Sequence, residues 1–372
     1  MTTDRASAPL GVLIAAYSPW LRSLLTETVA SQPGLAVTAA FPDLRQVRSA
    51  LRHQRPDVLL LDMEMPHRDS VVFIEQLMRQ RPMSVVVAAP LTEKSAYLTL
   101  RALEIGAADF IPVPFPGEEG DLSSYGETVA AAIRGAVRVR LSVAARRRGT
   151  RSAGMHGTLP VLPSLPAAAV AGKIIVVGSA AGGTESLVEF VSGLPSNFPP
   201  VVVAQPMPAP FSTVLARRLD HLGTASVREA LEGVPLLSRH VYLSSGDRPL
   251  AIERCGSCFV ARTVGVAPGG GSRSPVNLLF RSAARSAGED ATGVVLAGQG
   301  SDGREGVAEL RRCGAFTIAQ PQDECLAPEM PREAAAGGVA AVATVDEIPR
   351  LIARRLTRGE EAFAAAAVNF SY

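Results

Sequence analysis

Short apolar runs separated by stretches of helical spacing divide the first 145 residues. Leu10 to Ala15, Val37 to Ala40, Val58 to Leu61, Val85 to Ala89 and Phe110-Ile111 read as five strands, with helices predicted between them. This alternation predicts a doubly wound parallel sheet over residues 10–145. It resumes at residue 172, where Ile174 to Val177 is an unbroken β-branched run, the pattern of a parallel strand covered on both faces. Val201 to Ala204, Thr292 to Leu296 and Ala315 to Ala319 continue the series. Between them, Leu236 to Pro275 is dense in turn residues, and Val241-Tyr-Leu and Ala251-Ile-Glu are predicted as the strands of a hairpin. A second α/β domain is therefore expected over residues 172–357.

The interval 146–171 breaks the pattern. Arg146-Arg-Arg-Gly-Thr-Arg151 is followed by an Ala-rich run punctuated by Pro160, Pro163 and Pro166, which reads as a linker. The arginines suit the end of a preceding helix and lack interleaved aromatics, so no nucleic-acid partner is expected. Residues 358–372 form an Ala-rich tail. At 372 residues the chain can bury two cores, and 47% hydrophobic residues, 19% charged residues and a net charge of +2 demand neither nucleic acid nor a membrane. Met1 to Pro9 holds an acid and no long apolar run, so no membrane insertion and a cytoplasmic location are expected. Four cysteines make no disulfide framework. Cys255-Gly-Ser-Cys258 reads as a tight hairpin turn that carries two thiols, with neither zinc nor redox chemistry expected, because Cys313 and Cys325 supply no second close pair.

The candidate chemistry lies at Gly178 to Gly183, where the strand Ile174 to Val177 turns sharply into a helix opened by Thr184-Glu185. In an open α/β sheet ligands bind beyond the carboxyl ends of the strands, and backbone amides at a helix start can hold an oxyanion or phosphate. The turn has neither G-x-G-x-x-G nor the Gly-Lys-Ser/Thr of a P-loop, which argues against a nucleotide. Its shape is that of a nucleophile elbow, which needs a Ser or Cys at the tip, a His to take its proton and an acid to orient that His.

Six segments taken together resemble the catalytic domain of the bacterial chemotaxis methylesterases, the CheB-type protein-glutamate methylesterases and glutamine deamidases. They are Gly178 to Glu185, Val201-Val-Val-Ala-Gln-Pro-Met-Pro208, Arg239 to Asp247, Leu296-Ala-Gly-Gln-Gly-Ser-Asp-Gly303, Gly314 to Gln320 and Met330-Pro-Arg-Glu-Ala334. The resemblance implies a nucleophilic Ser where this chain has Ala180 and a catalytic His where it has Pro206. Of the three groups only the acid remains, as Asp302. Ala181, Gly182 and Gly183 fall on the oxyanion turn, and Gly269-Gly-Gly falls near the substrate entrance. A methyl group cannot attack an ester and a chain proline cannot act as base. In a serine protease, loss of nucleophile or base alone costs about a millionfold in turnover. The competing reading keeps an active esterase or glutamine amidase with relocated groups, Ser179 assisted by His240 being the first pair; Ser301 and His221 are the other candidates. A third reading has the Gly182-Gly183 amides binding a small anion.

The first domain resembles a response-regulator receiver on Pro56 to Pro66, with Asp62 as the phosphoacceptor candidate, and on Leu100 to Phe110. Here too the residues depart from the family. The acidic pair that helps hold Mg²⁺ is replaced by Ala16 and Tyr17, the switch hydroxyl by Ala89 and the lysine before a proline by Val113. The two lysines of the chain, Lys94 and Lys173, lie elsewhere. The resemblance thus implies an α/β chain, a flavodoxin-like receiver followed by a doubly wound methylesterase-type domain with an antiparallel hairpin. It further implies chemoreceptors or other chemosensory proteins as partners. The substitutions imply no cofactor, no Mg²⁺, no phosphotransfer from a histidine kinase, and a pseudoenzyme that acts by binding.

Overall fold

The computed structural model describes residues 9–66, 69–114, 125–137, 162, 164–222, 225–244, 248–265, 274–325 and 327–357. The basic cluster Arg146 to Arg151, His67, His156, Gly269 to Gly271 and the tail 358–372 lie outside the described residues. The chain divides into two units, residues 1–151 and 152–372.

In the first unit, β1 (Leu10–Ala15), β2 (Leu35–Phe41), β3 (Val58–Asp62), β4 (Ser84–Pro90) and β5 (Asp109–Val113) form one parallel sheet in the order β2-β1-β3-β4-β5. Central β3 is buried at every position, as its continuous Val-Leu-Leu-Leu run requires. Helices α1 (Pro19–Ala30), α2 (Leu44–His53), α3 (Asp69–Gln80), α4 (Glu93–Ile105) and α5 (125–137) cover the sheet. Local chemistry sets their starts: Ser18, Asp43 and Thr92 each accept a backbone N–H three residues on.

The second unit opens with α6 (Ala167–Val170), followed by β6 (Ile174–Gly178), α7 (Thr184–Ser192), β7 (Val201–Ala204), α8 (Ala209–Leu222), β8 (Ser226–Glu229), β9 (Pro235–Leu236) and β10 (His240–Ser244). The chain continues through β11 (Leu250–Cys255), β12 (Cys258–Thr263), α9 (Pro275–Ala287), β13 (Ala291–Val295), α10 (Arg304–Arg312), β14 (Phe316–Ala319), α11 (Glu329–Ala336), β15 (Ala341–Val342) and α12 (348–357). Seven strands make a parallel sheet ordered β15-β14-β13-β6-β7-β10-β8, and β11-β12-β9 make a small antiparallel one. The interval expected to be linker up to residue 171 is packed at its distal end. Leu165, Ala169 and Val170 are buried, and Asn197 Nδ2 donates to the Leu165 carbonyl at 2.7 Å.

One expected pairing is corrected. Val241-Tyr-Leu belongs to β10, which runs parallel to β7 and β8 inside the large sheet, and the hairpin is β11 with β12. The physical difference is burial: Val241 to Ser244 is buried at each position, whereas β11 alternates and then emerges into solvent. No helix among the described residues is long and apolar enough to cross a membrane.

Tyr242, 1% exposed, ties the two sheets: its hydroxyl donates to the Pro235 carbonyl at 3.2 Å and accepts from Leu237 N at 3.0 Å. Tyr242→Phe is expected to cost about 1 kcal/mol, read as a lower urea midpoint with unchanged slope.

Candidate functional site

The elbow is built by a turn at the carboxyl end of β6. Gly183 N donates to the Ala180 carbonyl at 2.9 Å, and Gly182 at its third position has φ +81°. This is a type II turn, which calls for Gly there. Gly183 is required by space instead: its φ is −108°, but a Cβ would lie 1.9 Å from the Ala297 carbonyl oxygen and 2.2 Å from Ser179 Oγ. Ala180 therefore stands at the tip, half-buried against the core, with Ala181 and Gly182 partly exposed beside it. The Ala181 carbonyl accepts from Gln299 N at 3.0 Å. Because the Gly183 amide is engaged within the turn, it is not free to hold an anion.

Gly178 pairs with Ala204 in the β6–β7 register, so Ala180 and Pro206 each follow the paired carboxyl end of one of two neighbouring strands by two residues. Gln205, directly before Pro206, is 1% exposed, and its Oε1 has no hydrogen-bond partner. A buried carbonyl oxygen left unpaired is costly, and this feature had no signal in the sequence.

Asp302 comes from the loop after β13 and meets the same end of the sheet. Val276 Cγ1 occupies the space that a side chain on Gly178 or Gly303 would need, so the elbow strand and the Asp302 loop close on one side chain. Both oxygens of Asp302 are engaged at the start of α9: Oδ2 accepts from Val276 N and Oδ1 from Asn277 N, each at 3.0 Å. Burial pushes its pKa above the ordinary 3.8, against the lowering effect of the Val276, Asn277 and Gly303 amides. Asn277 extends the connection, its Oδ1 accepting from Gly306 N at 2.7 Å. An open cleft lined by Ser274, Asn277, Gln299, Ser301, Asp302 and Arg304 lies over these groups.

The geometry does not assemble the relocated groups. Ser179 is 0% exposed and its hydroxyl donates to the Ala297 carbonyl at 3.0 Å, beneath Gly183. His240 starts β10. The registers Val241 to Val201 and Ile175 to Val201 put it level with Ile174, five residues before Ser179, or about 16 Å along the strands. His240 is held there by Nδ1 on the Ser238 carbonyl at 2.9 Å and by stacking on Tyr242. His221 is exposed in the last turn of α8, its Nδ1 2.6 Å from the Arg217 carbonyl. Ser301 is exposed on the loop beside Asp302.

In the first unit, Asp62 ends β3, 2% exposed. Its Oδ2 accepts from Tyr17 N at 3.3 Å and Oδ1 from Glu64 N at 2.8 Å, and burial pushes its pKa above the ordinary 3.8. Ala16 and Ala89 are completely buried, Val113 is buried and Tyr17 is 57% exposed. Lys94 lies in the first turn of α4, and Lys173 pairs with Asp290 at 2.6 Å in the other unit. No group of three or more His, Cys, Asp or Glu among the described residues could hold a metal ion. Asp62 has the Glu64 carboxylate nearby but a methyl group and a phenol at Ala16 and Tyr17, and these offer too few oxygens for Mg²⁺, which wants several oxygen ligands in near-octahedral array.

The sequence matches the CheB methylesterase family over residues 175–352 and the response regulator receiver domain over 12–122. Among curated proteins it is 40% identical over 347 residues to protein-glutamate methylesterase/protein-glutamine glutaminase 3 of Burkholderia lata, covering 93% of this chain and 95% of that one. It is 38% identical over 366 residues to protein-glutamate methylesterase/protein-glutamine glutaminase 1 of Geobacter metallireducens, covering 96% and 99%. The chain belongs to the CheB methylesterase family. The solved catalytic domain of Thermotoga maritima CheB methylesterase is 29% identical, covering 50% of this chain and 99% of that one, with a TM-score of 0.47.

Within this CheB-family frame, two substitutions test the geometry. Gly183→Ala drives a methyl group into the Ala297 carbonyl and is expected to lose about 3 kcal/mol of stability in urea unfolding. Asp62 has a raised pKa when folded, so its stabilising contribution is full below the ordinary 3.8 and is lost as pH rises through the folded value. Asp62→Asn removes that titration. The variant should therefore gain on the wild type as pH rises above the ordinary 3.8, read as the difference in their urea midpoints.

Proposed function

We propose that this chain is a CheB-type signalling protein that no longer hydrolyses esters by the family's route and acts by binding. The observation that carries the proposal is the pair Ala180 and Pro206 at the adjoining ends of β6 and β7, where the family places nucleophile and base. The nearest spare hydroxyl, Ser179, is sealed under the elbow and bonded to a carbonyl. The relatives are named for action on protein glutamate and glutamine side chains. The binding targets proposed here are accordingly methyl-accepting chemoreceptors or the chemosensory proteins that accompany them, with the cleft around Asp302 as the contact region.

The receiver follows the same reading. Ala16, Tyr17, Ala89 and Val113 supply none of the groups that hold Mg²⁺ or respond to a phosphoryl group on Asp62. We therefore assign the chain no cofactor and no phosphotransfer from a histidine kinase. A receiver without an input and an elbow without a nucleophile leave two hydrophobic frameworks whose surfaces remain able to recognise partners.

Methanol release from a methylated chemoreceptor fragment tests the loss of chemistry. The unmodified chain is expected to turn over about a millionfold more slowly than an active relative. Ala180→Ser combined with Pro206→His is expected to restore measurable release. Rapid release by the unmodified chain would overturn the reading, and calorimetry with the same fragment should show binding of wild type and double variant alike.

A further inference from the structure

The C-x-x-C motif has a geometry that its spacing alone does not convey. Cys255 ends β11 and Cys258 starts β12, and the two are direct cross-strand partners closing a two-residue turn. Gly256 has φ +59°, and Ser257 is not among the residues with positive φ, so Gly256-Ser257 is a type II′ turn, one of the two that match the twist of a hairpin. The Cα atoms of such a closing pair lie about 5.5 Å apart, in the middle of the span that a disulfide bridges. Their side chains project from the same face. The Cys258 thiol already leans across the hairpin, its Sγ 3.1 Å from the Cys255 carbonyl oxygen.

The surroundings divide into a fixed face and an open one. Phe259 is 2% exposed under the Arg254 guanidinium, which lies 4.6 Å from its ring centre, and Arg254 Nε donates to the Ser286 carbonyl of α9 at 2.8 Å. Ile252 N and the Ile252 carbonyl bond the Ser282 and Ser286 hydroxyls of the same helix. The hairpin backbone is thus held against α9 while both thiols are exposed and free. Of the other cysteines, Cys325 is buried in the segment before α11 and Cys313 is half-buried just after α10.

We propose that Cys255 and Cys258 form a reversible redox pair that takes a low-molecular-weight disulfide, such as oxidised glutathione, as its oxidant. One cysteine, as thiolate, attacks a sulfur of that disulfide, whose S–S bond breaks and releases the first glutathione thiol. The second cysteine thiolate then attacks the protein sulfur of the mixed disulfide and releases the second glutathione. Two electrons pass from the cysteine pair to the oxidant, and the two thiol protons end on the two released glutathiones. Closing the bond also draws the two Cβ atoms in from about 5.5 Å to about 4 Å, a small flexing of the turn. A loop this short gains little stability from its cross-link, and an exposed bond of this kind belongs to the labile, regulatory class.

The test is to equilibrate the full chain with oxidised and reduced glutathione at varied ratio, alkylate under denaturing conditions and weigh it intact. The wild type is expected to lose two of its four alkylatable thiols and the mass of two hydrogens, with the bond mapping to the 255–258 peptide and reversing in reduced glutathione. Cys255→Ser and Cys258→Ser should each instead retain a stable glutathione adduct on the remaining exposed thiol. Retention of all four thiols in the wild type would overturn the proposal. So would wild-type glutathione adducts that persist as they do in the single variants, or a disulfide joining two copies of the chain.

Discussion

The close approach of the Gly183 backbone to the Ala297 carbonyl and the Ser179 hydroxyl governs the carboxyl end of the second sheet. With no side chain at Gly183, the end of β6 can lie directly on the loop that follows β13, and the turn from Ala180 to Gly183 is forced outward. The same contact that presents residue 180 to solvent closes over residue 179. One neighbouring position is offered and the other withheld. A hydroxyl moved by a single place along this turn therefore enters the core and bonds a carbonyl, which is why an elbow cannot shift its nucleophile by slippage.

Much of the architecture was legible because it rests on local patterns. The unbroken runs at Val58, Ile174 and Val201 could only be strands covered on both faces, and the structure buries each of them fully. The turn-rich middle was harder. Val241 to Leu243 sits among turns and looks like half of a hairpin, yet its burial on both faces reflects pairing with β7 and β8, partners that no local signal names. β9 and β15, two residues each, carry no periodicity to detect.

At the site, the residue types at 180, 206 and 302 were readable from motif order. Their environments were not. That Gln205 holds an unpaired buried oxygen, or that His240 lies at the far end of the sheet from Ser179, depends on strand register across segments widely separated in sequence. In both units the apolar framework is closed, while around Asp62 and Asp302 the neighbouring positions 16, 17, 89, 113, 180 and 206 hold methyl groups, a proline, a valine or a phenol. Packing does not depend on those positions: the apolar faces close with uncharged side chains at each of them.

Asp302 shows why a lone acid is a poor witness to chemistry. Through the Val276 and Asn277 amides it anchors the first turn of α9, and through Asn277 that anchorage reaches the start of α10. Such a carboxylate is bound to the architecture whether or not an imidazole ever faced it. Its presence therefore testifies to how two helices are moored, and the case for or against hydrolysis must be made from the residues at 180 and 206.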